Sequence, residues 1–218
     1  MNITIANTPS SQTFKATKVA DTSNTLNKIH TNLQLFRLGN EDKSFLEKLE
    51  QKINYKELCS NLDITLTLQE RWQRVFNYCV ERAKSNENKT YVAVHDDKLC
   101  GILTYCQNGR KFELDGICSI PQDSKKVPYV GQTLLYQLFK DSADGNAKSI
   151  ELKAVTDGPF DVVSKYAKRG FKADTTSDYY THMRCNKYNI AEQLKSFQAE
   201  IAYQPCKSSK INLEQFID

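Results

Sequence analysis

From Phe112 to Phe171 the chain alternates between two hydrophobic periods, and that alternation restricts the folds open to it. "KFELDGICSIP" reads as an extended segment, and "GQTLLYQLFKDSADG" repeats Leu134, Leu135, Leu138 and Phe139 at helical spacing and ends before Gly145. "SIELKAV" is extended again, and "GPFDVVSKYAKRGF" is helical, with Pro159 in its first turn and Gly170 at its end. Upstream, Tyr91–Val94 and Leu99–Tyr105 flank the polar turn "HDDK" as an antiparallel hairpin, "QNGR" turns into the third extended segment, and "YYTHMRC" forms a last strand. Antiparallel strands followed by alternating strand and helix units predict an α/β class, a central mixed sheet flanked by helices.

The N-terminal half supplies further elements. "LQLFRL" reads as a first strand, and "EDKSFLEKLEQKI" sets Phe45, Leu46, Leu49 and Ile53 on one helical stripe. In "TLQE", Thr67 and Glu70 have capping-box spacing, starting a helix that buries Trp72, Val75, Phe76, Cys79, Val80 and Ala83. Residues 1–31, rich in Ser, Thr, Asn and Lys, lack either period and are expected to form a flexible tail. The folded domain is expected over 32–188, and 189–218 to add an amphipathic helix, with Ile190, Leu194, Phe197 and Ile201 on one face, and a second polar tail.

Composition narrows the function classes. With 26% charged and 39% hydrophobic residues in 218, the chain is an ordinary globular sequence able to bury a core. Its 30 basic and 26 acidic residues are intermixed, so the net charge of +4 favours anionic ligands without marking a nucleic-acid surface. Seven cysteines form no CxxC pair and have no histidine at metal-ligand spacing, which fits buried free thiols and no metal. No apolar run approaches the roughly 20 residues that span a bilayer, and the start has no signal-like core, so a cytoplasmic protein with no membrane partner is expected.

Three motifs, in order and at matching separations, make the segment from Leu33 to about Cys185 resemble the GNAT superfamily of acyl-coenzyme A transferases. The family's fourth strand ends apolar-x-apolar-x-Pro, as in Ile117-Cys118-Ser119-Ile120-Pro121, with Ser119 where an aliphatic residue is usual. Its pyrophosphate loop runs Arg or Gln, two residues, Gly, one residue, then Gly or Ala, into a helix. In "KKVPYVGQTLL" this puts Lys126 at the first position, Tyr129 at the first glycine and Gly131 at the second. Taken alone, that stretch reads equally as a proline-initiated helix. A helix N-terminus directs amides and the positive end of its dipole at an anion; Tyr129 in place of glycine is compatible with this if its φ is negative. Third, "YAKRGF" places Tyr166 four residues before Gly170-Phe171, as in the family's thiolate-protonating helix. Pro159 stands where the family often has asparagine.

The resemblance implies acetyl-CoA as co-substrate and an amine acceptor on a small molecule, peptide or protein, in a monomer or homodimer. It implies cofactor contacts from Ile117, Cys118 and Ser119 on a splayed strand, then from Lys126, Tyr129, Val130, Gly131, Gln132 and Thr133. Tyr166 would be the general acid. For the base, Glu113 and Asp115 precede the splay, with Asp115 sharing a face with Ile117 if no bulge intervenes; Asp157 and His182 are further candidates. Tyr55, Asp63, Trp72 and Tyr78 are candidates to line the acceptor groove. A GNAT-fold module that binds acyl-CoA or a protein without turnover is the competing reading.

Overall fold

A computed structural model of the chain describes residues 15–24, 29–60, 62, 65–123, 125–156 and 161–217. Its strands are β1 (Lys15–Asn24), β2 (Thr31–Arg37), β3 (Asn88–His95), β4 (Lys98–Asn108), β5 (Lys111–Ser119), β6 (Ser149–Val155), β7 (Lys172–Thr176), β8 (Tyr180–Asn186) and β9 (Ile201–Asn212). They join in one nine-stranded sheet of order β7-β8-β6-β5-β4-β3-β2-β1-β9. Neighbours are antiparallel except β5 and β6, which are parallel. Helices α1 (Lys43–Lys52), α2 (Tyr55–Leu58) and α3 (Leu66–Ala83) lie between β2 and β3 in the chain. The parallel pair is connected through α4 (Val130–Asp144); α5 (Val162–Ala167) follows β6, and α6 (Lys187–Glu200) follows β8.

The central strands are covered on both faces, so β4 is buried from Leu99 to Tyr105 without alternation. On one face Phe36, Val92 and Ile102 pack with Phe45, Leu49 and Phe76 of α1 and α3. On the other, Leu35, Leu103 and Tyr105 pack with Leu134, Phe139 and Phe197 of α4 and α6. A polar clamp fixes α4 on this second face. The Asp141 carboxylate accepts from the hydroxyls of Tyr91 (2.7 Å) and Tyr105, and from Gln137 Nε2 (2.8 Å). Gln137 Oε1 in turn accepts from the Tyr203 hydroxyl of β9 (3.0 Å).

The hairpin at "HDDK" forms as expected, with Asp96 and Asp97 in the left-handed region that tight two-residue turns require. Both expected tails differ. Residues 15–24 form β1, which pairs with β2 and β9, and 201–212 form β9 rather than a polar end. Their core-facing positions in β1 are Ala16, Ala20, Thr22 and Asn24, small or polar residues that leave no hydrophobic alternation to read. Residues 1–14 lie outside the described residues, as do Asp63, Asp157 and Pro159. The Thr67–Glu70 capping box does not form: α3 starts two residues earlier, with Thr65 at its N-cap, and its N3 position is Leu68, which cannot bond back. A further strand, β7, precedes the expected last strand; all five of its residues are exposed, so no apolar pattern marks it.

Where α3 crosses β5, contact is close: a Cβ on Gly116 would lie 2.4 Å from Cys79 Sγ and 3.5 Å from Cys79 Cβ. Gly116→Ala is therefore expected to destabilise the protein by about 2 kcal/mol through overpacking. The double variant Gly116→Ala/Cys79→Ala should recover much of that loss relative to Cys79→Ala alone, as read from urea denaturation. Additive effects would show that the α3 contact does not set the requirement for glycine.

Candidate active site

Parallel pairing between β5 and β6 runs from Lys111 opposite Ser149 to Leu114 opposite Leu152, and stops. At the same point β5 carries a bulge: Leu114 faces Tyr105 and Gly116 faces Thr104 of β4, with Asp115 as the extra residue. A bulge bends its strand. Beyond it, β5 continues with β4 while β6 continues with β8, and the two separate. The gap opens into a crevice of about 990 Å³ at the carboxyl ends of the parallel strands, between α3 on one side and α4, α5 and α6 on the other.

The free edge of β5 faces that gap. The Ile120 amide donates to the Cys100 carbonyl of β4 (2.7 Å). Antiparallel bonding alternates along a strand, so the amides of Ile117 and Ser119 point the other way, into the gap. All three of Ile117, Cys118 and Ser119 line the crevice. The end of the strand is held by Tyr55 of α2, a residue read from the sequence only as a groove candidate. Its buried hydroxyl donates to the Ser119 carbonyl (2.8 Å) and lies 3.0 Å from Cys118 Sγ. Burial pushes both the Tyr55 phenol and the Cys118 thiol up, the latter to about 12. Cys118 is therefore a packed neutral thiol rather than a nucleophile.

The first turn of α4 forms the floor. Its first amide-to-carbonyl bond runs from Thr133 to Tyr129 (2.9 Å), so the amides of Val130, Gly131 and Gln132 precede the helical ladder. No acidic residue lies in this turn. Gly131 and Gln132 line the crevice, whereas Val130 packs inward and Thr133 is buried, its hydroxyl accepting from Asn24 Nδ2 of β1 (2.9 Å). Among the described residues, a Cβ on Gly131 would meet nothing closer than Ser119 Oγ at 3.8 Å. Gly131 also has no positive φ. The fold itself thus places no demand for glycine here; what glycine provides is bare backbone facing the crevice. Tyr129 departs from the sequence expectation, because its φ is +61° and it caps α4 in the left-handed conformation. This is the geometry in which glycine is favoured.

Cations surround the floor. Lys126 Nζ lies 4.8 Å from the Trp72 ring centroid, and Lys165, Lys168 and Arg169 line the α5 side. Arg169 pairs with Glu200 at the end of α6 (3.0 Å) and stacks on Phe197. Glu200 also accepts from Gln132 and from Ser196 (3.2 Å). This polar side of α6 was not anticipated, since only the apolar stripe of that helix carries a periodic signal.

Tyr166 lies on α5 beside the gap, half-buried, its ring edge-on to Phe171 at 5.6 Å between centroids. Its hydroxyl makes no hydrogen bond to any described residue. Burial, and after it the nearness of Cys79, holds the phenol well above its ordinary value.

The two carboxylates expected as bases are placed elsewhere. Because the bulge shifts the alternation of β5, Asp115 faces α3, whereas Ile117 packs on the other side of the sheet. Asp115 is paired with Arg82 (3.0 Å), and burial raises its carboxyl against the opposing pull of that guanidinium. Glu113 lies 3.7 Å from Lys111. Neither lines the crevice. His182 sits on β8 between Glu151 and Asp174, both 3.6 Å away, also outside the crevice. Among the described residues there is no cluster of three or more metal-ligating side chains and no helix long and apolar enough to cross a membrane.

The left-handed Tyr129 gives a stability test. Tyr129→Gly should relieve the strained cap and raise unfolding stability by about 1 kcal/mol, after the entropic cost of the added glycine. A loss of stability in a denaturation experiment would show that the tyrosine ring's contacts outweigh the strain.

No protein-family model and no curated protein matches the sequence. Solved structures do resemble it. The PaiA N-acetyltransferase from Thermoplasma acidophilum in complex with coenzyme A aligns over 71% of this chain and 98% of its own, at TM-score 0.50 and 21% identity. Aminoglycoside 6'-acetyltransferase type Ii aligns over 70% and 96%, at 0.50 and 18%. FdhC, a nucleotide-linked sugar GNAT, aligns over 77% and 94%, at 0.51 and 17%. The fold of this chain is the GNAT acetyltransferase fold.

Proposed function

We propose that the protein is an N-acyltransferase that moves an acetyl or short acyl group from acyl-coenzyme A to an amine by direct attack, with both substrates bound in the crevice. The observation that carries this reading is the bare backbone at Gly131, a cradle that a Cβ would fill, at a helix start flanked by Lys126, Lys165 and Lys168. This donor set suits a pyrophosphate and its neighbouring phosphate. Similarity of fold to a coenzyme A complex supports it.

In this reading the amides of Gly131 and Gln132 hold the pyrophosphate. The unpaired edge of β5 binds the amide-bearing arm, as an added strand would, and the Ile117 or Ser119 amide is available to an acyl oxygen. Coenzyme A supplies the thioester. Tyr166 protonates the departing thiolate, and its raised pKa keeps the proton in place across the working pH range. We assign no base to Glu113 or Asp115: the one carboxylate among the described lining residues is Glu200, held by Arg169 and Gln132, so the amine's proton leaves to water. The seven thiols are all unbridged, which supports a reducing, cytoplasmic setting.

Calorimetry with acetyl-CoA tests the site, and no binding at millimolar ligand would overturn it. Gly131→Val should fold normally, since the space beside Gly131 is open, yet lose coenzyme affinity by tenfold or more; undiminished affinity would exclude the α4 cradle. Tyr166→Phe should lower kcat by about 10²-fold while coenzyme affinity is retained. In the parent protein kcat/KM should rise as the amine deprotonates and show no descending limb below about pH 10, where an ordinary phenol would ionise. A fall near neutral pH would remove Tyr166 as the acid. A protein that binds acetyl-CoA and acylates no amine would support the binding-module alternative.

A further inference from the structure

Tyr166 sits on α5, a helix of six residues of which none is fully buried; Val162, Val163 and Tyr166 pack against the core only in part. A helix of this length is not stable by itself, so the position of the phenol depends on what holds the turn that follows it. In that turn the Tyr166 carbonyl accepts from the amides of Arg169 (2.9 Å) and Phe171 (3.2 Å), and Gly170 has a φ of +80°. Helix α6 lies directly on it. Asn189, Gln193, Ser196 and Glu200 fall at i, i+4, i+7 and i+11, a polar stripe along α6. At one end of the stripe Asn189 Nδ2 donates to the Gly170 carbonyl (2.8 Å). A Cβ on Gly170 would lie 3.2 Å from Gln193 Cγ and 3.3 Å from Asn189 Cβ, so helix and turn are in close contact. At the other end the two Glu200 oxygens accept from the two guanidinium nitrogens of Arg169 (3.3 and 3.0 Å), the paired geometry that fixes direction as well as distance. Glu200 also accepts from Gln132, the residue after Gly131. One carboxylate thus joins the turn that carries Tyr166 to the start of α4.

We infer that the polar stripe of α6 positions the acid: Asn189 and Glu200 are positioning residues that hold Gly170 and Arg169 and so set the Tyr166 hydroxyl at a fixed distance from the α4 cradle. This rests on the acyl-transfer reading of the crevice. A coenzyme held by its pyrophosphate at Gly131 must bring its sulfur to Tyr166, so that spacing is a condition of the transfer. Both residues lie beyond Cys185, outside the segment that carries the family motifs. Glu200 is also a negative charge beside a site for phosphates, and its electrostatic effect there opposes coenzyme binding. Its effects on affinity and on turnover therefore have opposite signs.

Two variants of the full chain test this. Asn189→Ala keeps the Cβ against Gly170 and removes the donor; Glu200→Gln keeps the size and removes the charge that pairs Arg169. Each should lower kcat by about tenfold. Coenzyme A affinity by calorimetry, the control for folding, should be retained in Asn189→Ala and retained or raised in Glu200→Gln. In a Tyr166→Phe background neither substitution should lower kcat further, because the group being positioned is gone. An unchanged kcat in either variant, a parallel loss of coenzyme affinity, or an equal fall in the Tyr166→Phe background would overturn the inference. The position of the phenol is also read without turnover, from the fluorine NMR resonance of Tyr166 in fluorotyrosine-labelled protein, assigned by its loss in Tyr166→Phe. That resonance should shift in Asn189→Ala, and an unchanged one overturns the inference. Coenzyme binding with no turnover in the parent protein would sink the transfer reading instead, and the resonance would then decide the positioning by itself.

Discussion

The site depends on the point where β5 and β6 stop pairing. Up to Leu114 and Leu152 the parallel strands share a ladder, and immediately afterwards the extra residue Asp115 bends β5 along β4. The bend is fixed from the α3 face: Cys79 presses on Gly116, and Arg82 holds Asp115. Backbone groups that would otherwise have bonded β6 are left at a gap, and buried backbone polar groups require partners. Tyr55 satisfies one of them, the Ser119 carbonyl, and the amides on that edge remain directed at the crevice. The crevice here is thus a product of interrupted sheet pairing rather than of reactive side chains.

A bent strand alone would not make a site unless α4 started at a defined height above it. The Asp141 carboxylate, between the hydroxyls of Tyr91 and Tyr105, fixes the far half of α4 to β3 and β4, and Gln137 ties the same helix to β9. Charge-accepting hydrogen bonds of this kind are among the stronger ones in a partly buried setting. Thr133, bonded to Asn24 of β1, fixes the near end. With both ends of α4 held, the chain reaches its first turn through a left-handed Tyr129, and the local strain is borne by contacts formed elsewhere along the helix.

How much of this was legible depends on which residues carry a periodic signal. Strands β3, β4, β5 and β6 and helices α1, α3, α4 and α6 bury large apolar residues at regular spacing, so the sequence shows them, and the Gly131 and Tyr166 motifs stand out between them. Strand β1 faces the core with Ala16, Ala20, Thr22 and Asn24, and the exposed residues of β7 carry no pattern, so neither could be read. Within the site, the splayed strand and the loop were recognisable by order. The bulge at Asp115 was not, because nothing in "ELDGIC" distinguishes a regular strand from one with an extra residue, and a shift of one residue moves a carboxylate to the other face. The sign of φ at Tyr129 was equally hidden, as it follows from how α4 is anchored rather than from the tyrosine.

The strands invisible in the sequence have a bearing on the crevice. Pairing of β9 with β1 fixes where α6 must end, because Ile201 follows Glu200 directly and sits opposite Asn24 at the close of β1. Asn24 is also the residue that holds Thr133 of α4. The end of α6 and the start of α4 are therefore anchored on the same few residues of β1, which brings Glu200 within reach of Gln132 and Arg169. Two terminal segments with polar sequences thus complete the cationic wall by geometry. Among the described residues the opposite wall is set by α3, so its side chains can differ from those of the α4, α5 and α6 side without disturbing the sheet between them.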